Sequence, residues 1–118
     1  MAVLGTLERD NLIAGDFPTK AQEITLTGPA TFERGDVLGK SDTGVFALVD
    51  STATDGSQDV VGIVCDDITV EADAEAVSTM YVKGEFNQRR LRFGGSDTAE
   101  THKRRMTEIG LLVRPTKI

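Results

Sequence analysis

His102 is the only histidine in the chain, and acid–base or nucleophilic catalysis at neutral pH would most readily use it. A serine hydrolase of the α/β type would also need a nucleophile on a sharp turn, and the sequence contains no G-x-S-x-G motif. His102 falls on the apolar stripe of a predicted helix, where we expect a hydrogen-bonded, partly buried histidine. We therefore predict that the protein is not an enzyme. Catalysis would require His102 or residues 55–59 to line a cleft.

Metal-binding residues are equally scarce. One cysteine and one histidine cannot form a zinc site built from those two residue types. Asp55, Ser57 and Asp59 offer oxygen atoms at alternate positions, as a calcium loop does. The match fails because an EF-hand needs Gly at its sixth position and Glu at its twelfth, where this chain has Val60 and Asp66. We expect a solvated turn, and we predict no metal ion and no cofactor.

Cys65 and the neighbouring pair Asp66 and Asp67 complete the candidate chemical groups. Cys65 ends an apolar run and has no basic neighbour in sequence to stabilise a thiolate, so we expect a small buried side chain. A lone cysteine cannot form an intramolecular disulfide bond, which is typical of a reducing compartment or of a chain that is not selected for disulfides. Asp66 and Asp67 would point to opposite faces of a strand, which argues against joint acid–base chemistry.

Charge is unevenly distributed along the chain, whose net charge is −6. Residues 1–82 carry 4 Lys/Arg and 15 Asp/Glu, a net charge of −11, whereas residues 83–118 carry 9 and 4, a net charge of +5. Sequence-independent DNA binding relies on phosphate neutralisation, so an acidic chain indicates no nucleic-acid partner. The opposite charges could meet between protomers or at a partner, or they could serve solubility alone.

Residues 1–12 do not resemble a secretory signal, because charge appears at Glu8 before an apolar segment has formed. No apolar run approaches the roughly 18 residues that a membrane-spanning helix needs. We expect no membrane partner.

The elements that would position these residues are mostly strands. The polar and apolar alternation predicts strands at residues 23–27, 60–65, 76–82 and 85–91, and a hairpin at 37–49. Gly84 is predicted to break the chain between the last two strands, and residues 68–75 are predicted to be irregular.

One helix is predicted near the end of the chain. Asp97 precedes it, and Glu100 lies where a capping box places its acidic residue. An apolar stripe follows at helical spacing, and Gly110 suits the helix end, before a closing strand at 111–113. The stripe consists of Ala99, His102, Met106 and Ile109.

The N-terminal residues 1–22 are predicted to form an extended arm, since their apolar residues keep neither a helical nor a strand period. Residues 23–118 are predicted to form a single β-rich domain. The whole is a mainly β (α+β) fold: a compact small β-barrel or sandwich with one late helix and an N-terminal arm.

From about Gly35 onwards, the order of motifs resembles the lambda-type head decoration proteins of tailed bacteriophages. The motifs that carry the resemblance are Gly35-Asp36-Val37-Leu38-Gly39-Lys40, Asp55-Gly56, Val60-Val61-Gly62-Ile63-Val64, Tyr81-Val82-Lys83-Gly84-Glu85-Phe86-Asn87 and residues 97–105 leading through Gly110. They span roughly 80 residues of the chain. The N-terminal arm departs most from the family pattern.

The resemblance implies a homotrimer on local threefold positions of the expanded phage head, made in the bacterial host cytoplasm and bound to the outer surface of the capsid. Its partners would be the major capsid protein and further copies of itself, and it would cement neighbouring capsomers. On this basis the apolar arm residues Leu4, Leu7, Leu12, Ile13 and Phe17 are the expected capsid-binding residues. Ile24 and Leu26 either extend that interface or belong to the core of the domain.

Two other classes of function remain open. A tail-tube or head–tail connector subunit would form sixfold rings. A small β-barrel binding module would show an apolar pocket with a few convergent polar groups.

Overall fold

The computed structural model describes residues 12–13 and 18–114, of which 46% lie in strands and 14% in helices, so the fold is mainly β. The strands are β1 (Lys20–Thr27), β2 (Ala30–Phe32), β3 (Val37–Lys40), β4 (Phe46–Leu48), β5 (Val60–Val64), β6 (Ile68–Val70), β7 (Glu75–Asn87) and β8 (Leu111–Arg114). A 3-10 turn spans Gln88–Arg90, and helix α1 spans Ala99–Ile109. The predicted mainly β fold with one late helix is confirmed.

Strand β7 organises the main sheet. The strand order is β1-β7-β5-β3-β4, with every neighbouring pair antiparallel, and β8 runs parallel to the last part of β7. Strands β2 and β6 form a separate two-stranded ribbon. The predicted hairpin at 37–49 is confirmed as β3 and β4, whose turn contains Gly44 at φ 90°.

The main sheet buries both of its faces, because successive strand residues point to opposite sides. Val37 and Ile63 pack into a core shared with helix α1, whereas their neighbours Leu38 and Val64 pack into a second core with the β2–β6 ribbon. Alternate residues of one strand therefore pack into different cores on the two sides of the sheet. This two-sided burial explains the nearly continuous apolar run in β5.

Helix α1 confirms the predicted element and corrects its start. Thr98 is the N-cap residue, and its backbone N–H donates to Oγ1 of Thr101 at 3.1 Å. Asp97 lies one residue earlier and has a different role, described below. The helix ends as predicted at Gly110, whose φ of 92° is in the left-handed region that glycine adopts most easily.

Two strand predictions were wrong. Residues 68–70 form β6 rather than irregular structure, because pairing with β2 supplies the hydrogen bonds that the short segment lacks by itself. Gly84 does not break the strand, since it pairs with Leu111 while its φ of 148° redirects the chain. Strand β7 therefore continues to Asn87. The second half of the strand predicted at 85–91 is replaced by the 3-10 turn at Gln88–Arg90.

The proposed boundary between arm and domain falls inside β1, which begins at Lys20. None of the helices among the described residues is long and apolar enough to cross a membrane.

Candidate functional site

The N-terminal segment is anchored at the far end of β7. The backbone N–H of Asn87 donates to the carbonyl oxygen of Leu12 at 2.8 Å, and Ile13 forms an isolated antiparallel bridge with Phe86. The Leu12 side chain is 1% exposed and belongs to the core shared with helix α1, whereas Ile13 is 38% exposed. We call Leu12 and Ile13 the arm anchor. It ties this part of the chain to the end of β7.

The other predicted capsid-binding residues have different locations. Leu4, Leu7 and Phe17 lie outside the described residues. Ile24 and Leu26 are buried in the second core, so they take the core role that the sequence had left open. With Leu12, they lie inside the folded body, and of the described candidates only Ile13 offers an exposed apolar side chain.

A cleft of about 360 Å³ lies directly beside the arm anchor. We call it the arginine cleft, and the 3-10 turn forms one of its walls. It is lined by Leu12, Glu33, Arg34, Asp36, Arg89, Arg90, Leu91 and Arg92. Four arginines against two acidic residues give the cleft a net positive charge.

Two of these arginines are held in place by the body of the protein. Nε and Nη2 of Arg92 donate to the two carboxylate oxygens of the buried Asp36 at 2.7 and 2.8 Å, and this paired geometry raises the pKa of Arg92. Arg34 donates from Nη1 to the carbonyl oxygen of Cys65 at 2.8 Å and to the hydroxyl of Tyr81 at 2.9 Å. Their positions are therefore set by tertiary contacts.

The arginine cleft was not identified from the sequence. The run Gln88-Arg89-Arg90-Leu91-Arg92 was a usable signal, because three cations in five residues mark a charged surface. Nothing local to that run shows that Arg34 and Asp36, more than fifty positions earlier, lie beside it.

An acidic turn joins β6 to β7. Glu71, Asp73 and Glu75 are exposed, and no side-chain hydrogen bond or ion pair holds their carboxylates within the described part of the chain. Asp73 has φ 62°, a left-handed conformation that aspartate tolerates in turns. The exposed carboxylates form a negative patch on a short, hydrogen-bonded turn, in which the N–H of Ala74 donates to the carbonyl of Glu71 at 3.2 Å.

His102 is buried, as expected for a core histidine, and it contacts Asp97. The distance from Nε2 of His102 to Oδ2 of Asp97 is 2.7 Å, and the ring stacks on Phe93 with centroids 5.6 Å apart. Ser51 donates to the same carboxylate from its N–H at 2.6 Å and from its hydroxyl at 2.7 Å. The carboxylate lies between serine and histidine, so these contacts lack the serine–histidine pairing of a catalytic triad.

The Asp55–Ser57 turn and Cys65 show no sign of reactivity. Ser57 donates from its backbone and side chain to Oδ1 of Asp55, and these two bonds lower the pKa of that carboxyl. Burial raises the pKa of the Cys65 thiol, which opposes reactivity. Among the described residues, no group of three or more His, Cys, Asp or Glu side chains is placed to hold a metal ion.

Comparison with known proteins identifies the family. The family model of the bacteriophage lambda head decoration protein D matches residues 6–110. A search of curated proteins found no match. Members of this family are structural components of the outside of the phage head. The match covers most of the chain, from before the arm anchor to the end of helix α1, so the protein belongs to the lambda head decoration protein family.

Proposed function

We propose that the protein binds as a homotrimer at local threefold positions on the expanded phage head, where it cements neighbouring capsomers and catalyses no reaction. The family match over residues 6–110 is the observation that carries this proposal. The scarcity of catalytic groups and the structural role of His102 are consistent with a mechanical function.

The residues before the arm anchor are the proposed contact with the major capsid protein. Leu12 and Ile13 hold the chain to the end of β7. An extended segment can add to the edge of a partner's sheet, with backbone hydrogen bonds supplying affinity and alternate side chains supplying selectivity. Leu4, Leu7, Ile13 and Phe17 are the proposed capsid contacts.

Leu12, Ile24 and Leu26 have a supporting role in this proposal. Their side chains are buried, so they hold the arm and β1 against the body. Three arms in one closed trimer then act together, and such multivalency strengthens binding by about 10²–10⁴ when all sites can be reached at once.

Deletion of residues 1–11 tests the arm assignment. The deletion leaves Leu12, Ile13 and all later residues in place, so we expect a folded protein with an unchanged number of copies per oligomer. The measurement is co-sedimentation with expanded, empty capsids of the phage that encodes the protein. We expect saturable binding of the intact chain and loss of binding after the deletion.

Point variants give a matched control. We expect Leu4→Asp with Leu7→Asp to weaken capsid binding, whereas Thr6→Asp with Asn11→Asp, which adds the same two negative charges in the same segment, should have a smaller effect. Full binding by the deleted protein would place the contact elsewhere. An intact chain that stays in the supernatant would remove the decoration role, and a sixfold solution mass would then favour a tail-tube or connector subunit.

A further inference from the structure

The arginine cleft has positive charge that its two acidic lining residues do not fully neutralise. Arg92 is paired with Asp36, and Arg34 is held by Tyr81 and Cys65. The exposed side chains of Arg89 and Arg90, in contrast, make no hydrogen bond or ion pair with any residue that the structure describes. Two guanidinium groups at the rim of a concave surface are suited to a carboxylate-bearing partner.

The 3-10 turn presents these two arginines on a fixed backbone. Oδ1 of Asn87 accepts a hydrogen bond from the N–H of Arg89 at 3.1 Å, and the N–H of Leu91 donates to the carbonyl of Gln88 at 3.4 Å. Asn87 itself is 1% exposed and ends the central strand. A turn fixed at both ends loses little backbone freedom on binding, which favours association.

The chain also carries the complementary surface. The acidic turn exposes Glu71, Asp73 and Glu75, and residues 66–75 contain no lysine or arginine. The β2–β6 ribbon separates Arg34 from the acidic turn. Its pair Phe32–Ile68 is at the end near Arg34, whose backbone N–H donates to Oδ1 of Asp67 at 2.8 Å, and its pair Ala30–Val70 is at the end that continues to Glu71. At about 3.3 Å per strand residue, the ribbon places Arg34 and Glu71 on the order of 10 Å apart.

This separation has a consequence for assembly. The acidic turn and the arginine cleft lie at opposite ends of one ribbon, so a contact between them joins two copies head to tail. Head-to-tail contacts close into rings when the rotation between copies permits it. Copies that each carry a net charge of −6 repel one another overall, and oriented patches of opposite charge offset that repulsion where they face each other.

We propose that the arginine cleft of one copy receives the acidic turn of a second copy, with Arg89 and Arg90 facing Glu71 and Glu75. The site is then completed by residues of the neighbouring protomer. This inference rests on the homo-oligomer of the proposed function and names the surfaces that form it.

Charge reversal tests the contact. Arg89→Glu with Arg90→Glu, and separately Glu71→Lys with Glu75→Lys, should each weaken self-association by about tenfold or more, because like charges then face each other. All four substitutions in one chain should restore the oligomer, since every interface regains opposite charges. The readout is solution mass by sedimentation equilibrium over a range of protein concentrations, with circular dichroism to verify folding.

Helix α1 supplies the control. Lys103→Glu with Arg104→Glu makes the same change in charge on an exposed face away from the cleft, and Arg104 is 94% exposed. We expect this variant to keep the wild-type mass. Raising the salt concentration should dissociate the wild type and the four-residue variant to a similar extent, because both interfaces rely on exposed opposite charges, which salt screens.

The outcomes separate this inference from the proposed function. Unchanged mass in either charge-reversed variant, or failure of the four-residue variant to reassociate while folded, overturns the contact. Loss of capsid binding at unchanged mass would assign the cleft to a capsid segment and also overturns it. The proposed function would still stand in both cases if the wild-type protein binds capsids.

Discussion

Asp97 joins two parts of the chain that are distant in sequence. Its carboxylate accepts hydrogen bonds from the loop residue Ser51 and contacts His102 on helix α1. Burial opposes the charged form of Asp97, but the bonds from His102 and Ser51 outweigh it and lower the pKa of this carboxyl. The charged carboxylate therefore stabilises the folded state.

The contribution of Asp97 should depend on pH. Because the folded-state pKa lies below the ordinary value of 3.8, the stabilisation is fully present above that value and is lost as the pH falls through the folded-state pKa. We expect the difference in unfolding free energy between wild type and Asp97→Asn to shrink from about pH 5 to about pH 2. Urea unfolding at fixed protein concentration measures it. A difference that stays constant over this range would show that the charge of Asp97 is not what stabilises the fold.

Local sequence signals could not show these residue contacts. The cap-like pattern at 97–100 predicted the helix, but the side chain of Asp97 is used by Ser51, forty-six positions earlier. Likewise, the pairing of Asp36 with Arg92 depends on the way β3 and the 3-10 turn come together. The type and approximate place of a helix follow from local pattern, whereas such pairs follow from tertiary packing.

The β3–β4 hairpin shows how glycine serves two different needs within one element. A Cβ atom at Gly39 would lie 2.1 Å from the backbone oxygen of Ser57, so the space there admits only hydrogen. Gly44 has open space, with its nearest neighbour 4.0 Å away, but its φ of +90° is one that other residues rarely adopt. One position is limited by space and the other by backbone conformation.

Alanine substitution should separate these two effects. Gly44→Ala should cost about 1–2 kcal/mol, the usual penalty for a left-handed conformation. Gly39→Ala should cost more, because the backbone at Ser57 must move away from the new methyl group. Thermal and urea unfolding of the two variants measure the costs. An equal or smaller loss at Gly39 would mean that β3 and the 55–59 loop are not packed as closely as described.

The elements also show where sequence patterns were sufficient. Alternation and turn residues were enough for β1, the hairpin, β5 and helix α1. They failed for β6, whose three residues gain hydrogen bonds only from β2, and at Gly84, where a glycine bends a strand that continues. Short strands and bent strands are determined by their partners, which a local pattern does not contain.

At the scale of the whole molecule, the arm anchor couples the N-terminal segment to the folding of the body. Leu12 shares a core with residues from β3, β5, β7, helix α1 and β8. Its neighbour Ile13 is more than a third exposed. The two adjacent residues therefore divide the roles of holding the arm and presenting an apolar surface.

Substitution of this pair tests the coupling. Leu12→Ala should lower the unfolding free energy by about 2–5 kcal/mol, since it removes buried methyl groups and leaves a cavity. Ile13→Ala should change it far less, because much of that side chain remains in water in the folded state. Urea unfolding at one protein concentration gives both values, and the fixed concentration matters because subunit association also contributes to stability. Similar small losses for both residues would show that the N-terminal segment is not part of the core.

The path of β7 gives the molecule a direction of mechanical strength. This thirteen-residue strand pairs with β1 along most of its length and bonds to the arm anchor at its end. A pull on the N-terminal segment parallel to β7 loads the bond at Leu12 and then the β1–β7 ladder in shear, where many hydrogen bonds must break together. A pull at right angles peels the same bonds apart one after another. The protein should therefore resist a pull on its N-terminal segment along β7 more strongly than a pull at right angles to β7.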